Sequence, residues 1–435
     1  MFAADENLPL DPGPKVPADP GGRVSTLPAA DGPGTGVRAR SARFPAGFPR
    51  QYWLMISGSV ISHAGGSMVW PFMLIYVSGQ LHLPLTQVAS LVTIQSVAAI
   101  LSSFLAGTIV DRIGRRAAMT ASLVGSGVCY LLLRGAGSFA EFAAVMAMLG
   151  LSNPLYQIGA DAMVADMIPP DDRARAYSVS RIASNAGFGI GPAIGGLLAA
   201  TSYDLAFIGA SAGFLTYAAL LALFARETLG SARAGIASAV AALPSRGYGY
   251  VFRDRRYVVF VALTALGLTA PSMYWILLAV YTKTNFGLPE YQVGWLFMTN
   301  AAMCVFVQYF VTRATVRLPP LAVASGGILV YAIGVGSAAV MSSFPGFWIS
   351  MVVVSLGELL LVPTAATYIA RRAPADLRGR YVGTYWLAWA CARGVAPILG
   401  GALNDGLGPR AIWFGALALG LASAAGLALL ARRES

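Results

Sequence analysis

Residues that carry covalent and metal chemistry are scarce in this chain. Its 435 residues include only three cysteines and two histidines. Cys129, Cys304 and Cys391 stand far apart inside apolar stretches. That excludes a disulfide framework and a metal-ligand spacing, so they read as small buried hydrophobes. No metal or cofactor is expected. Only Lys15 and Lys283 are lysines, and neither follows a glycine. A Gly-Lys phosphate-binding loop is therefore absent, which argues against an ATP-driven pump. No His-Glu-x-x-His occurs, and the Gly-x-Ser-x-Gly at Gly209–Gly213 lies inside an apolar run rather than at a strand-to-helix turn, so neither motif supports a membrane enzyme. Charge is scarce as well, at 11%, where a soluble domain carries about 25%.

Apolar residues fill the space, at 57%. A run of about 20 apolar residues crosses a bilayer as a helix, because lipid cannot satisfy open backbone groups. Twelve such runs are expected, near 51–77, 86–109, 117–137, 141–165, 177–201, 204–225, 257–282, 290–312, 320–341, 346–370, 378–403 and 410–430. The fold class is an all-α membrane protein of twelve spans. Residues 1–47 are rich in Pro, Gly, Ala and Asp and hold no apolar run. This excludes a cleavable signal peptide and predicts a disordered tail.

The net charge of +11 invites a nucleic-acid reading, but its distribution gives another cause. Of 30 Lys and Arg, 25 fall in the two tails and the even-numbered loops. Arg134, Lys283 and Arg410 lie in odd loops, and Arg181 and Arg393 lie inside spans. Positive loops stay on the cytoplasmic side. Both termini and the central loop are thus expected there, with no nucleic-acid partner.

The chain also repeats itself. SMVWPFMLIYVSGQLHLPLTQVASL at Ser67–Leu91 aligns with SMYWILLAVYTKTNFGLPEYQVGWL at Ser272–Leu296, each position 205 further along. Pro169, Asp171, Arg173 and Arg175 recur as Pro374, Asp376, Arg378 and Arg380 in the same register. Pro192, Gly195 and Gly196 recur as Pro397, Gly400 and Gly401, and Arg112 as Arg317. Two six-helix units in parallel orientation follow, 48–226 and 257–435, joined by a cytoplasmic linker 227–256 that includes Arg233 and Arg246. Such parallel repeats place a substrate site near the membrane midplane between the units.

Between the second and third runs stands GTIVDRIGRR, Gly107–Arg116. Its glycines permit a tight turn and close helix approach, and its charges can pair at the boundary. The string resembles the signature loop of the major facilitator superfamily, Gly-x-x-x-Asp-Arg-x-Gly-Arg-Arg. The resemblance implies a conformational latch of the outward-open state formed by Gly107, Asp111, Arg112, Gly114, Arg115 and Arg116. Asp166 is the expected partner on the fourth run, then Asp161. The alternative is a basic anchor at the membrane boundary. The second-half copy has Val316 for the Asp and Pro319 for the Gly.

The fifth run carries GFGIGPAIGG. Gly187, Gly191, Pro192, Gly195 and Gly196 resemble the antiporter signature of bacterial drug:proton exporters in that superfamily. Gly187, Gly191 and Gly195 share one helix face, and Pro192 removes a backbone bond. The pattern is either a mark of export or a packing face. The arginine that such exporters often hold in the fourth span is missing from AVMAMLGLSNPLYQIGADAM.

Glu358 in the tenth run, within Leu-Gly-Glu-x-x-x-x-Pro, is similar to a residue of some of these antiporters that serves a proton or a cationic drug. A carboxylate at that depth costs roughly 2.5–3.5 kcal/mol and is normally functional or paired. Arg393 lies at comparable depth, so Glu358 either exchanges a proton or forms a static pair with it. Asp161 and His63 are further candidates for proton coupling, His63 reading equally as a bonded core histidine. Tyr156, Gln157, Asn185, Tyr274, Asn300, Glu358, Tyr385, Trp386 and Trp389 are candidate substrate contacts, a mixture suited to a broad apolar pocket. Trp70 and Trp275 are related by the repeat and read as scaffold.

The resemblance implies a secondary transporter of the bacterial inner membrane, acting as a monomer. It would export small apolar or cationic compounds against protons. An importer or facilitator of a polar solute such as a sugar or amino acid, and a non-transporting sensor, remain as alternatives.

Overall fold

The computed structural model describes residues 47–229, 247–374 and 377–434. Residues 1–46, residues 230–246 of the expected linker with Arg233 and Arg246, and the repeated Asp376 lie outside the described residues. Among the described residues every regular element is a helix. In chain order they are α1 (Arg50–Val69), α2 (Met73–Leu81), α3 (Leu85–Ile113), α4 (Arg115–Gly135), α5 (Phe139–Met167), α6 (Pro170–Thr201) and α7 (Tyr203–Phe224). They continue as α8 (Tyr248–Arg253), α9 (Arg255–Phe286), α10 (Glu290–Phe306), α11 (Gln308–Thr315), α12 (Pro320–Ser337), α13 (Phe344–Arg372), α14 (Arg378–Leu407) and α15 (Ala411–Arg432).

The helix ends follow local chemistry. Proline, whose fixed φ suits a helix start, stands at the N-cap of α1, α3, α6, α10 and α12. Ser138 and Glu141 form a reciprocal capping box for α5. Gly287 and Gly408 end α9 and α14 at φ of 66° and 96°, a region that favours glycine.

Ten helices, with α1 and α2 taken together, are long and apolar enough to cross a bilayer. The pair α10 and α11, bent by 52°, makes eleven. Helix α5 falls short of that apolar test although it has 29 residues. Ser152, Asn153, Gln157 and Asp161 dilute its second half, and it packs against α3 and α4. Two expected continuous runs are broken. The first stops at Val69 and resumes at Met73, because Pro71 removes a backbone donor. The run expected over 290–312 bends around Val307 without a proline or glycine there. Just past that break, Gln308 Nε2 donates to Leu359 O of α13 at 3.2 Å.

The 205-residue register recurs in three dimensions. Helices α1, α3, α4 and α5 begin at Arg50, Leu85, Arg115 and Phe139, and α9, α10, α12 and α13 at Arg255, Glu290, Pro320 and Phe344. Packing recurs too: α1 lies on α6 and α7 as α9 lies on α14 and α15, and α4 on α5 and α7 as α12 on α13 and α15. Even single bonds recur. Tyr52 OH donates to Ala176 O at 2.8 Å, and Tyr257 OH to Tyr381 O at 2.5 Å. Tyr76 meets Phe142 edge-on at 6.1 Å, and Tyr281 meets Phe347 at 6.2 Å.

The two sets of helices meet chiefly through α3 on α14 and α6 on α10. Those contacts run from the end opposite the signature loop to mid-helix. There Asp405 of α14 accepts from Leu85 N at 3.2 Å and Thr86 N at 2.8 Å. Further along, Thr93 Oγ1 donates to Gly394 O at 2.7 Å. Toward the signature loop the same helices carry exposed Phe104, Ile182, Phe306 and Trp386. A cleft therefore opens at that end and closes at the other.

Removing either buried tyrosine hydroxyl leaves a carbonyl without its donor. Tyr52→Phe and Tyr257→Phe should each lower stability by about 0.5–1.5 kcal/mol, within the range for hydrogen bonds between membrane helices. The double variant should show the sum, since the bonds share no partner. Unfolding titrations in mixed micelles check this; one neutral and one costly substitution would contradict equivalent roles.

Candidate functional site

Helices α6 and α14 each lie between two close neighbours. On α6, a Cβ at Gly187 would stand 2.7 Å from Val60 O and one at Gly195 would stand 2.6 Å from Met68 Cα, both on the α1 segment or its end. Gly191 faces the same way, with Ala64 O at 2.5 Å. A Cβ at Gly189 would stand 2.5 Å from Ala301 of α10, and one at Gly196 would stand 2.5 Å from Glu290 O. Pro192 O abuts Gly294 of α10. The expected antiporter signature thus lies on two helix contacts at once. The arc left between them carries Arg181, Asn185 and Phe188, spaced by four and three residues on one face. On α14, Gly401 abuts Thr86 of α3 and Gly400 abuts Leu277 of α9. Between those contacts stand Trp386, Trp389 and Arg393.

Glu358 sits in the middle of α13 and is half-buried. Its Oε2 accepts from Asn300 Nδ2 at 3.0 Å and from Tyr331 OH at 3.3 Å. Asn300 also donates to Ser355 Oγ at 3.0 Å, and Trp275 Nε1 donates to Tyr331 OH at 3.2 Å. Among the described residues Glu358 has no ion-pair partner. The static Glu358–Arg393 pair is therefore not formed. Arg393 instead places its guanidinium 5.2 Å from the centre of the Trp70 ring. Arg181 of α6 is exposed and, among the described residues, forms no ion pair.

The other candidates are distributed unevenly. His63 Nδ1 lies 2.7 Å from Ser59 O, and its ring meets Phe188 edge-on at 4.9 Å. Tyr156 stands 6.4 Å from His63 and 5.8 Å from Tyr217 between ring centres. Gln157 donates to both oxygens of Asp161 at 3.4 Å, on an exposed stretch of α5. Tyr385 is buried, and its hydroxyl accepts from Trp389 Nε1 at 3.3 Å. Tyr274 departs from expectation: it is wholly buried, bonded to Ser350 and packed on Trp413, so it serves the core rather than the cleft. Trp275 and Tyr331, by contrast, stand beside Glu358. The repeat made Trp275 look like scaffold, and nothing in the apolar run around Tyr331 marked it.

At the signature loop, Arg115 is buried and pairs with Asp111 at 3.0 Å and Asp166 at 3.2 Å. Arg112 is exposed on the last turn of α3. Arg116 reaches Ala222 O at the end of α7. Gly114 turns at φ 99°. Glu227, absent from the sequence expectations, accepts from Arg115 N and Arg116 N at 3.0 Å each. It thereby caps the start of α4 from the far side of α7. Thr228 adds a bond to Asp166 at 2.8 Å. A Cβ at Gly107 would meet nothing within 4 Å. The second half has its own network: Arg372 Nε donates to Asp254 Oδ2 at 2.7 Å, and Arg372 Nη1 to Glu434 at 3.1 Å.

A repeated set of membrane-length helices around one polar cleft is the architecture of a membrane transporter. The sequence matches the Major Facilitator Superfamily model over residues 55–271 and 262–435. The chain belongs to that superfamily and is a transporter, not an enzyme. It is similar to the uncharacterized MFS-type transporter YttB of Bacillus subtilis (strain 168), at 25% identity over 88% of this chain and 96% of that one. It is similar to the Na(+), Li(+), K(+)/H(+) antiporter of Planococcus maritimus, at 24% identity over 80% and 86%. It is also similar to Multidrug resistance protein 1 of Bacillus subtilis (strain 168), at 24% over 76% and 83%. Among solved structures, a POT family transporter in complex with 5-aminolevulinic acid shares the fold, with TM-score 0.75, 15% identity and coverage of 88% and 96%.

Two substitutions separate the arms of the Arg115 pair. The Asp111 side chain is 67% exposed and that of Asp166 is 9% exposed. Asp111→Asn should cost about 0–1 kcal/mol, and Asp166→Asn about 3 kcal/mol, because Arg115 then loses its buried counter-charge. Chemical unfolding ranks them; equal costs would contradict the burial difference. A pH effect belongs to Asp254. Burial works to raise its pKa, but Arg372, the Tyr257 N–H and Tyr381 outweigh it and hold it below 3.8. The stability it contributes is present above about pH 4 and is lost as pH falls through the lower folded value. Wild type should therefore lose more melting temperature between pH 5 and pH 3 than Asp254→Asn, by thermal unfolding; equal losses would remove Asp254 as the source.

Proposed function

We propose that this transporter exports small, mostly apolar compounds in exchange for protons, by alternating access to one central cleft. The reading rests chiefly on Glu358, a mid-helix carboxylate beside the cleft whose bonded partners are a neutral amide and a neutral phenol. With no fixed cation paired to it, a proton is the natural compensating charge. The antiporter-like string on α6, which sits on contacts both within and between the halves, supports export. So do the names of two relatives, a multidrug resistance protein and a cation/proton antiporter.

In this reading twelve spans form two six-helix bundles, 48–226 and 257–435, with 227–256 as the cytoplasmic linker. The basic loops set both termini in the cytoplasm of a bacterial cell, with the spans in the inner membrane. The cleft then opens to the cytoplasm, as in an inward-facing state. Asp405 and the α6–α10 contact close the outer side. Outward opening breaks those contacts and brings the signature-loop ends of the halves together. Arg115, with Asp111 and Asp166, organises the loop that latches that second state. His63 and Asp161 face the same pathway as secondary proton sites.

Dye efflux tests the proposal. Cells expressing the wild type are loaded with ethidium, Nile red or carboxyfluorescein, with and without a protonophore. At least one dye should leave by a protonophore-sensitive route that Glu358→Gln slows tenfold or more. Efflux that Gln leaves intact, or that ignores the protonophore, would overturn the role of Glu358 in proton coupling.

A further inference from the structure

The two arginines that lie within spans have no assigned partner. Arg181 is on α6 and Arg393 on α14, on the arcs left free between the glycine contacts of each helix, and both residues are exposed. Among the described residues neither forms an ion pair. A guanidinium keeps its charge under all ordinary conditions. An arginine deep in a membrane protein normally pairs with a carboxylate or marks a substrate path. Here the mid-helix carboxylate Glu358 pairs with neither and already accepts from Asn300 and Tyr331.

The repeat gives these arginines a pattern. In the 205-residue register Arg181 corresponds to Trp386, and Phe188 to Arg393. Each helix thus presents one cation and one aromatic ring, seven residues apart on the same face, in opposite order. Phe188 is 55% exposed and Trp386 is 62% exposed, although the flanking glycine contacts on both helices are tightly packed. These rings line open space rather than core. Arg393 lies against the Trp70 ring. A guanidinium over an aromatic ring is held by its charge, and its N–H groups match a planar anion.

We infer that the cleft holds a subsite for an organic anion with an apolar body, formed by Arg181 and Phe188 of α6 together with Trp386 and Arg393 of α14. The arginines take the carboxylate or an equivalent anionic group, and the rings take the apolar body. The subsite rests on the transporter reading of the cleft, but not on export or on proton coupling. It also answers the expectation of cationic compounds: a cation in this subsite would meet the repulsion of two arginines.

The test measures binding to the purified full-length chain in detergent by calorimetry. Three ligands of one shape are compared: 1-naphthoate, its neutral amide and 1-naphthylmethylammonium. The wild type should bind naphthoate at least tenfold more tightly than either of the others. Arg393→Gln and Arg181→Gln should each cut that preference to threefold or less, and Arg393→Lys should keep part of it. A wild type that binds none of the three, shows no preference, or prefers the ammonium would overturn the subsite. So would a preference that survives both Gln variants. Should the Gln variants not fold, the ranking in the wild type decides. A chain that ranks the ligands as expected yet fails the dye test keeps the subsite and loses the export reading; the reverse result does the opposite.

Discussion

Close backbone contact along α6 and α14 is the constraint on which the rest of the molecule depends. Side chains larger than hydrogen at Gly187, Gly191 or Gly195 would strike α1, and at Gly189 or Gly196 would strike α10. In a bilayer such approach supplies packing that the hydrophobic effect cannot, since lipid is as apolar as the helices. The consequence is geometric. A helix gripped on two sides has one arc free toward the cleft. On α6 that arc holds Arg181, Asn185 and Phe188, and on α14 it holds Trp386, Trp389 and Arg393. The chemistry of the cleft is what the packing leaves over.

The two halves use the same backbone plan with different charge chemistry. In the first, Arg115 is buried between two aspartates, and Glu227 caps the start of α4. In the second, Arg372 joins Asp254 and Glu434. The tyrosine bonds to Ala176 O and Tyr381 O are shared because each ties the first helix of a half to its fifth. The charged networks have diverged, which lets one end of the molecule be held differently by each half. At the opposite end, Asp405 caps α3 across the two halves with three accepted bonds. Exposed ion pairs contribute little to stability, whereas a contact that exists in only one arrangement can bias which arrangement is occupied.

The helical architecture and its duplication were legible in the sequence. Apolar length set most of the spans, and the 205-residue offset placed equivalent helix starts and even equivalent hydrogen bonds. The signature string pointed to Asp111 and Arg115, with Asp166 of the fourth run as partner, and the structure joins the three in one contact. The breaks were less legible. Pro71 explains the interruption after α1, but no proline or glycine marks the bend at Val307. Helix α5 is polar enough along its second half that apolar length alone undercounts it.

Side-chain partners were the least legible, because depth along a helix fixes height but not direction. Glu358 and Arg393 lie at similar heights, yet one faces Asn300 and Tyr331 while the other lies on Trp70. Tyr274 has the height of a cleft residue and the direction of a core one. Glu227 and Asp405 reach helix starts more than a hundred residues away, and no local pattern announces such a bond. The sequence by itself determined that this chain spans a membrane as a repeated helical unit, since lipid demands long apolar helices and a duplicated sequence folds twice. Only the tertiary structure decided which polar groups meet, because rotation of each helix about its own axis is set by packing against its neighbours.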